Sequence, residues 1–202
     1  MKKLSMSILS LAFAVSAIAG GVENKEKVVT VNPDASTIEW RGSKVTGEHN
    51  GHVDVRQGNI VLDEKGNLKS AYVQVDMNSM TNEDLDADTQ QKLIGHLKSD
   101  DFFSVEKYPY AEIKLNSFKP GEKSGTYIAS GDLTVKGKTQ PISFPFTYSN
   151  NGGDFTANGT LTFDRSKYDV RYGSPSFFND IGDKAIHDDV ELKFTIKGSA
   201  KK

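Results

Sequence analysis

Eight stretches of this chain alternate apolar and polar side chains with a period of two, and that repeat restricts the fold more than any other feature. In an extended strand successive side chains point to opposite faces, so a period of two builds a sheet with one greasy face and one wet face. Residues 37–45 carry Ile38 and Trp40 on the apolar phase. Residues 53–62 carry Val53, Val55, Ile60 and Leu62, with a bulge predicted at Gly58. Residues 68–76 carry Ala71, Val73 and Val75, and residues 110–118 carry Ala111, Ile113 and Leu115. Residues 126–135 carry Ala129, Gly131, Leu133 and Val135; residues 140–149 carry Ile142, Phe144, Phe146 and Tyr148. Residues 154–164 carry Phe155, Ala157, Gly159, Leu161 and Phe163, and residues 189–198 carry Val190, Leu192, Phe194 and Ile196.

The connections between most of these stretches are short and rich in Gly, Asn, Asp and Pro. Examples are Asp63-Glu64-Lys65-Gly66-Asn67, Lys136-Gly137-Lys138 and Asn150-Asn151-Gly152-Gly153. Such residues suit hairpin turns. Parallel pairing would need crossovers of about a dozen residues, which these gaps do not hold. Eight antiparallel strands stack as a sandwich or close as a barrel, and closure removes the open edges. The predicted fold is all-β: a single antiparallel eight-stranded barrel. A barrel of that size holds either packed side chains or one ligand. Gly42, Gly131, Gly159, Ala71, Ala129 and Ala157 remove volume from the inward phase, which leans toward a cavity.

Two gaps are long. Between Met77 and Pro109, Asp88-Thr89-Gln90-Gln91 predicts a helix start with Asp88 as cap and Gln91 three residues later. Leu93, Ile94 and Leu97 then share one helical face. A second, irregular stretch runs over residues 165–188 with Tyr168, Tyr172, Phe177 and Phe178. The strand pattern resumes unchanged after each gap, so neither separates domains. The barrel is expected to carry one short helix and one long irregular loop near its mouth.

Residues 1–19 have a different character. Met1-Lys2-Lys3 precedes an apolar stretch from Leu4 to Ile18, which ends in Ala17-Ile18-Ala19. A basic start, a short apolar run and an A-x-A site predict a secretory signal peptide cut after Ala19. Residues 20–202 then form the barrel domain, and the compact Lys-Lys leader suggests a bacterial periplasm. No second run is long and apolar enough to cross a bilayer, so stable membrane insertion is not expected. The chain has 25 basic and 27 acidic residues and no Cys. The near-neutral balance argues against nucleic acid as a partner. The lack of Cys excludes disulfides, thiolate metal sites and thiol nucleophiles.

Catalytic and metal patterns are sparse. His49 and His52 are three apart, which on a strand puts them on opposite faces, and no second pair completes a metal site. His187-Asp188-Asp189 lacks a G-x-S-x-G nucleophile elbow. Asp84-Leu85-Asp86-Ala87-Asp88 starts like a calcium loop, but Thr89 and Gly95 stand where the loop requires Gly and Glu. No catalytic residue, metal or cofactor is assigned.

Three separated blocks carry a family resemblance. They are His96-Leu97-Lys98-Ser99-Asp100-Asp101-Phe102-Phe103 with Glu106-Lys107-Tyr108-Pro109, then Gly131-Asp132-Leu133-Thr134-Val135-Lys136-Gly137-Lys138-Thr139-Gln140-Pro141, then Asp164-Arg165-Ser166-Lys167-Tyr168. In order and spacing the chain resembles the YceI-like family across about residues 28–198. Two positions depart from the family's habit: Ile94-Gly95 replaces a frequent Arg-Asp pair, and Asp169 replaces a frequent Gly.

The resemblance implies a secreted, lipocalin-like barrel that holds a polyisoprenoid or another long amphiphile. The ligand expected is a polyisoprenoid lipid such as a polyprenyl phosphate, or an isoprenoid quinone. By strand phase the lining should include Trp40, Val73, Val75, Ile113, Leu115, Leu133, Phe144, Phe146, Phe163, Leu192 and Phe194. Leu97, Phe102 and Phe103 should cap the barrel or form part of its mouth. Arg41, His96, Lys98, Arg165 and Arg171 are the candidates to meet a polar or anionic head group. The leading expectation is a periplasmic binding protein or carrier, a vehicle or reservoir that shields a long isoprenoid or other amphiphilic lipid inside its barrel, with a homodimer as a compatible assembly. The alternatives are a stress-linked envelope barrel without lipid and, further off, an enzyme acting on an isoprenoid-like substrate.

Overall fold

The alternating segments pair into one antiparallel sheet that closes on itself. The computed structural model describes residues 26–200, so the leader reading of residues 1–19 and the cut after Ala19 lie outside the described residues. The strands are β1 (Lys27–Val31), β2 (Thr37–Lys44), β3 (Gly47–His52), β4 (Asp54–Leu62), β5 (Leu68–Asp76), β6 (Tyr110–Pro120), β7 (Thr126–Val135), β8 (Lys138–Asn151), β9 (Asp154–Asp164) and β10 (Ile186–Ala200). Along the sheet the order is β1-β4-β5-β6-β7-β8-β9-β10-β2-β3, with a further β1–β10 pairing that closes the ring.

Among the described residues ten strands fill eight positions, because two positions are broken in two. One edge of β10 pairs first with β2, from Ile186 opposite Lys44 to Thr195 opposite Thr37. The same edge then pairs with β1, from Gly198 opposite Val31 to Ala200 opposite Val29. Strands β1 and β2 therefore follow one another along β10, with a 3-10 turn at Pro33–Ala35 between them. Pro33 lacks the N–H that an uninterrupted ladder would use. The break leaves no orphan on β10: Lys197 O accepts from Asn32 N at 2.8 Å, and Lys197 N donates to Ser36 Oγ at 3.0 Å. Strands β3 and β4 break in register beside them, β3 on β2 and β4 on β1. At the seam a Cβ on Gly198 would lie 2.5 Å from Thr30 O, so only glycine allows the strands to approach.

The eight-stranded antiparallel barrel is thus present, with β1 and β3 as strands that alternation did not reveal. β3 reads Gly-Glu-His-Asn-Gly-His and has no apolar phase. Its free edge is covered by the chain after β5, where Thr81 N donates to His52 O and Glu83 N to Asn50 O. The bulge predicted at Gly58 falls two residues earlier: the β4–β5 register shifts between Val55 and Gln57. Gly58 answers a different need, since a Cβ there would lie 2.6 Å from Tyr72 O. The β7–β8 connection is a tight hairpin in which Lys136 and Gly137 both take positive φ, 49° and 69°.

The one α-helix among the described residues, α1 (Ala87–Lys98), starts two residues before the expected place. Its cap is Asp86, not Asp88: the Asp86 carboxylate accepts from Thr89 N at 3.1 Å and from Thr89 Oγ1 at 3.0 Å. A cap needs its partner N–H three residues on, and Thr89 meets Asp86 with two donors at once.

The irregular stretch 165–188 is held by one side chain. Arg165 is 1% exposed. Its Nε donates to His187 O at 3.1 Å, Nη1 to Val170 O at 2.9 Å and Tyr172 O at 3.0 Å, and Nη2 to Ile186 O at 2.9 Å. Asp188 supplies the counter-charge, 3.4 Å from Nη2. Nearby, Asp169 takes the left-handed conformation with φ 62°. That geometry explains a preference for Gly at this position; here Asp adopts it and its carboxylate pairs with Arg171.

Replacing Arg165 with Met should cost about 3 kcal/mol or more. It strands four backbone carbonyls, that of Val170 fully buried and the other three in part, and leaves Asp188 without its cation; the midpoint of urea unfolding measures it. A second expectation concerns alkaline pH. Tyr168 is buried, and burial, aided by the Asp164 carboxylate, pushes its phenol from 10.0 up to about 12. The unfolded chain gives up this proton first, so stability is intact below pH 10 and falls as pH rises toward about 12. Tyr168→Phe should flatten that fall in part, since Tyr72 and Tyr148 are shifted upward too.

Candidate functional site

The inward phases of the strands do not fill the barrel. They enclose a cavity of ≈ 330 Å³ whose wall takes residues from nearly every strand and from α1. That volume falls in the range of small-molecule sites, about 300–1,000 Å³. Trp40, Val73, Val75, Ile113, Leu115, Leu133, Phe144, Phe146, Phe163, Leu192 and Phe194 all lie on the wall. Leu97, Phe102 and Phe103 lie on it as well, at the end that α1 covers. Trp40 keeps its ring inside because its indole N–H has a partner: Nε1 donates to Thr81 O at 2.9 Å.

Missing side-chain volume explains part of the space. A Cβ at Gly42 would touch nothing within 4 Å, and Ala71, Ala129 and Ala157 are on the wall too. Gly159 works the other way: a Cβ there would meet the Phe194 ring at 2.7 Å, so the missing volume is used by a neighbour. Gly131 faces backbone, 2.0 Å from its built Cβ to Lys114 O, and adds nothing to the cavity.

The two ends differ. Away from the helix an aromatic cluster gathers, with Tyr127 and Tyr148 ring centres 4.8 Å apart and Tyr148 stacked on Phe155 at 5.7 Å. At the helix end the wall becomes polar: Ser43, Lys44, His49, His96, Arg165, Tyr172 and His187 line it. Ser43 Oγ and His187 Nδ1 are hydrogen-bonded at 2.9 Å. His49 Nδ1 lies 2.7 Å from Asp84 Oδ2. Burial pushes the Asp84 carboxyl up, but hydrogen bonds from His49, Asn50 N–H and Asn82 together hold it below the usual carboxylate range. The His96 ring packs edge-on against Tyr172 at 4.3 Å and Phe102 at 5.6 Å.

The five head-group candidates separate. His96 is on the wall at this mouth. Arg165 is on the wall too, but its donors are spent on backbone carbonyls, so it acts as a strut with its guanidinium 5.2 Å over the Phe102 ring. Arg41 follows inward Trp40 and so faces outward, bonded to Glu48 at 2.9 Å. Lys98 Nζ donates to Asn78 O at 2.7 Å and is not on the wall. Arg171 pairs with Asp169, lies over Phe177 at 4.9 Å and is also off the wall. Strand phase alone would have removed Arg41. Ser43, Lys44, His49 and His187 went unassigned because they sit on β3 or at strand ends, where alternation fades.

His49 and His52 hold different carboxylates, Asp84 and Glu83, the latter at 2.9 Å. Among the described residues no group of three or more His, Cys, Asp or Glu is placed to hold a metal ion. No helix among them is long and apolar enough to cross a membrane.

The three motif blocks meet at the helix end. Phe102 from the first packs under Arg165 from the third. Lys136 from the second donates its Nζ to Asp169 O at 3.1 Å and to Asp100 O at 3.4 Å.

Comparison with known proteins places this geometry. A UPF0312 protein of Photorhabdus laumondii is 30% identical over 107 residues, which is 53% of this chain and 53% of that protein. A UPF0312 protein of Pseudomonas putida is 42% identical over 60 residues, 29% of this chain and 30% of the relative. The chain thus matches about half or less of these relatives' length. Among solved structures, BcnA of Burkholderia cenocepacia superposes with a TM-score of 0.66 at 21% identity, covering 83% of this chain and 98% of that one. A polyisoprenoid-binding domain of Saccharophagus degradans, implicated in plant cell wall breakdown, gives 0.62 at 17% identity over 88% of this chain and 100% of that one. At these identities both show a shared fold. The YceI-like domain matches residues 29–198, and with that span the chain belongs to the YceI-like family.

Proposed function

We propose that the protein is a periplasmic carrier that shields a long isoprenoid or another amphiphilic lipid inside its barrel. One observation carries the reading: an apolar cavity of ≈ 330 Å³ whose polar groups are gathered at one end. An isoprenoid chain in water is disfavoured by about 0.8 kcal/mol per exposed CH₂, so enclosing even ten carbons gains roughly 8 kcal/mol. The wall supplies that gain with no chemical step. The polyisoprenoid-binding domain of Saccharophagus degradans, which shares the fold, supports the same ligand class. His96, His49, Ser43 and His187 at the mouth suit a polar head such as a phosphate or a quinone carbonyl. The location rests on residues 1–19, whose basic start, apolar run and Ala17-Ile18-Ala19 site suit export and cleavage after Ala19. Binding without turnover fits a wall whose polar pairs, Ser43–His187 and His49–Asp84, stay at the mouth, away from the apolar length of the cavity.

The test is mass spectrometry of an organic extract of the purified protein, with two variants. Gly42→Phe places a ring where a Cβ meets nothing within 4 Å, so it should fill the mouth of the cavity without disturbing packing. Leu192→Arg places a charge on the wall. Prenyl lipid should copurify with the native chain and fall at least about tenfold in both variants, while the unfolding midpoint of Gly42→Phe stays at or above the native value. An extract without lipid from the native chain, or an unchanged yield from a folded Gly42→Phe, overturns the reading.

A further inference from the structure

Phe177 and Phe178 are the exposed phenylalanines among the described residues, 41% and 47% accessible, and they stand side by side on the loop that rims the mouth. Tyr172 on the same loop is 48% exposed. Val45, at the tip of the β2–β3 hairpin, is 56% exposed and lies against this loop through its N–H to Ala185 O at 3.3 Å. The rings are displayed by a built turn. Phe177 N and Phe178 N both donate to Ser174 O, at 3.1 and 3.0 Å, and Ser174 is fully buried. Ser176 Oγ fastens the turn to Asp188 at 2.6 Å. Arg171 lies over Phe177 at 4.9 Å.

The patch is continuous with the cavity. Tyr172 is at once exposed and on the cavity wall, and Ile186 joins it there. Whatever covers the patch therefore faces the mouth. Aromatic rings beside an arginine are the side chains that settle at a bilayer interface, with ring inside and cation at head-group level. Across residues 171–186 the cations Arg171 and Lys184 are balanced by Asp180 and Asp183. A loop without net charge offers little to a charged protein or nucleic acid, whereas a lipid surface needs only the apolar rings.

We propose that this aromatic rim docks on a lipid surface, so that the mouth opens directly into the membrane and a guest passes without crossing water. The proposal rests on the cavity being a lipid site, and its test separates the two. The full chain is sedimented with phosphatidylcholine vesicles, as native protein, as Phe177→Ser/Phe178→Ser, and as Gly42→Phe. The native chain should partition to the vesicles and the double variant at least about tenfold less, with little change on raising salt from low to physiological. The double variant should still copurify lipid, because neither ring is on the cavity wall. Gly42→Phe should lose the guest and keep the vesicles. Failure of the native chain to bind, equal binding by the double variant, or binding that requires anionic lipid and vanishes with salt, overturns the docking proposal whatever the lipid extract shows.

Discussion

Everything in this molecule depends on the outer edge of β10 finding a partner along its whole length. A sheet with an apolar inner face has two edges to satisfy, and an unpaired edge would expose backbone and let water into the interior. The edge of β10 runs from Ile186 to Ala200, longer than either β1 or β2, so it takes both in succession. The turn between them is the weak point, and Asn32 and Ser36 close it by serving the backbone of Lys197. Closure at that seam lets Trp40 on β2 and Val29 on β1 face the same interior.

A closed ring of this size can be filled, and this one is filled only in part. Cavities in cores forgo about 24 cal/mol per Å³ of packing, so ≈ 330 Å³ amounts to roughly 8 kcal/mol relative to a solid interior. That is comparable with the whole stability of an ordinary domain, about 5–15 kcal/mol. The chain gives up this packing at particular places. Gly42 leaves open space where a larger side chain would fit, while Gly159, one strand beyond β10, is covered by the Phe194 ring. Stability is recovered in the stretch 165–188, where Arg165 fixes four carbonyls, and at the far end, where aromatic rings stack.

Strand phase made the wall legible. Trp40, Val73, Leu133, Phe144 and Leu192 were placed by alternation alone, because a half-buried strand writes its inner face into every second residue. The ends of the barrel were less legible. β3 has backbone pairing and a covering segment but no apolar face, so Gly47–His52 left no period to read. The helix cap moved from Asp88 to Asp86 because several carboxylates lie in one run and only geometry selects the one whose partner is Thr89. The arginines misled for a related reason: charge marks a candidate, but whether its donors are free depends on the fold. Arg165 is bound by carbonyls from residues 170, 172, 186 and 187, and nothing local announces that.

Polarity along the cavity then sets a direction. At the far end the wall offers the rings of Phe118, Phe146 and Phe155, and the helix end offers the Ser43–His187 pair, the His49–Asp84 pair and His96. An amphiphile in such a sleeve has one favourable orientation, because reversing it would bury an unpaired polar head among rings, at a cost of several kcal/mol. The three motif blocks converge at the polar end: Phe102 sits beneath Arg165, and Lys136 ties residues 100 and 169 together. The motifs therefore shape the mouth, while the bulk of the wall needs only residues that are apolar and of suitable size. A wall under so loose a constraint can change sequence widely while the mouth keeps its form, which is consistent with a fold shared at 17–21% identity.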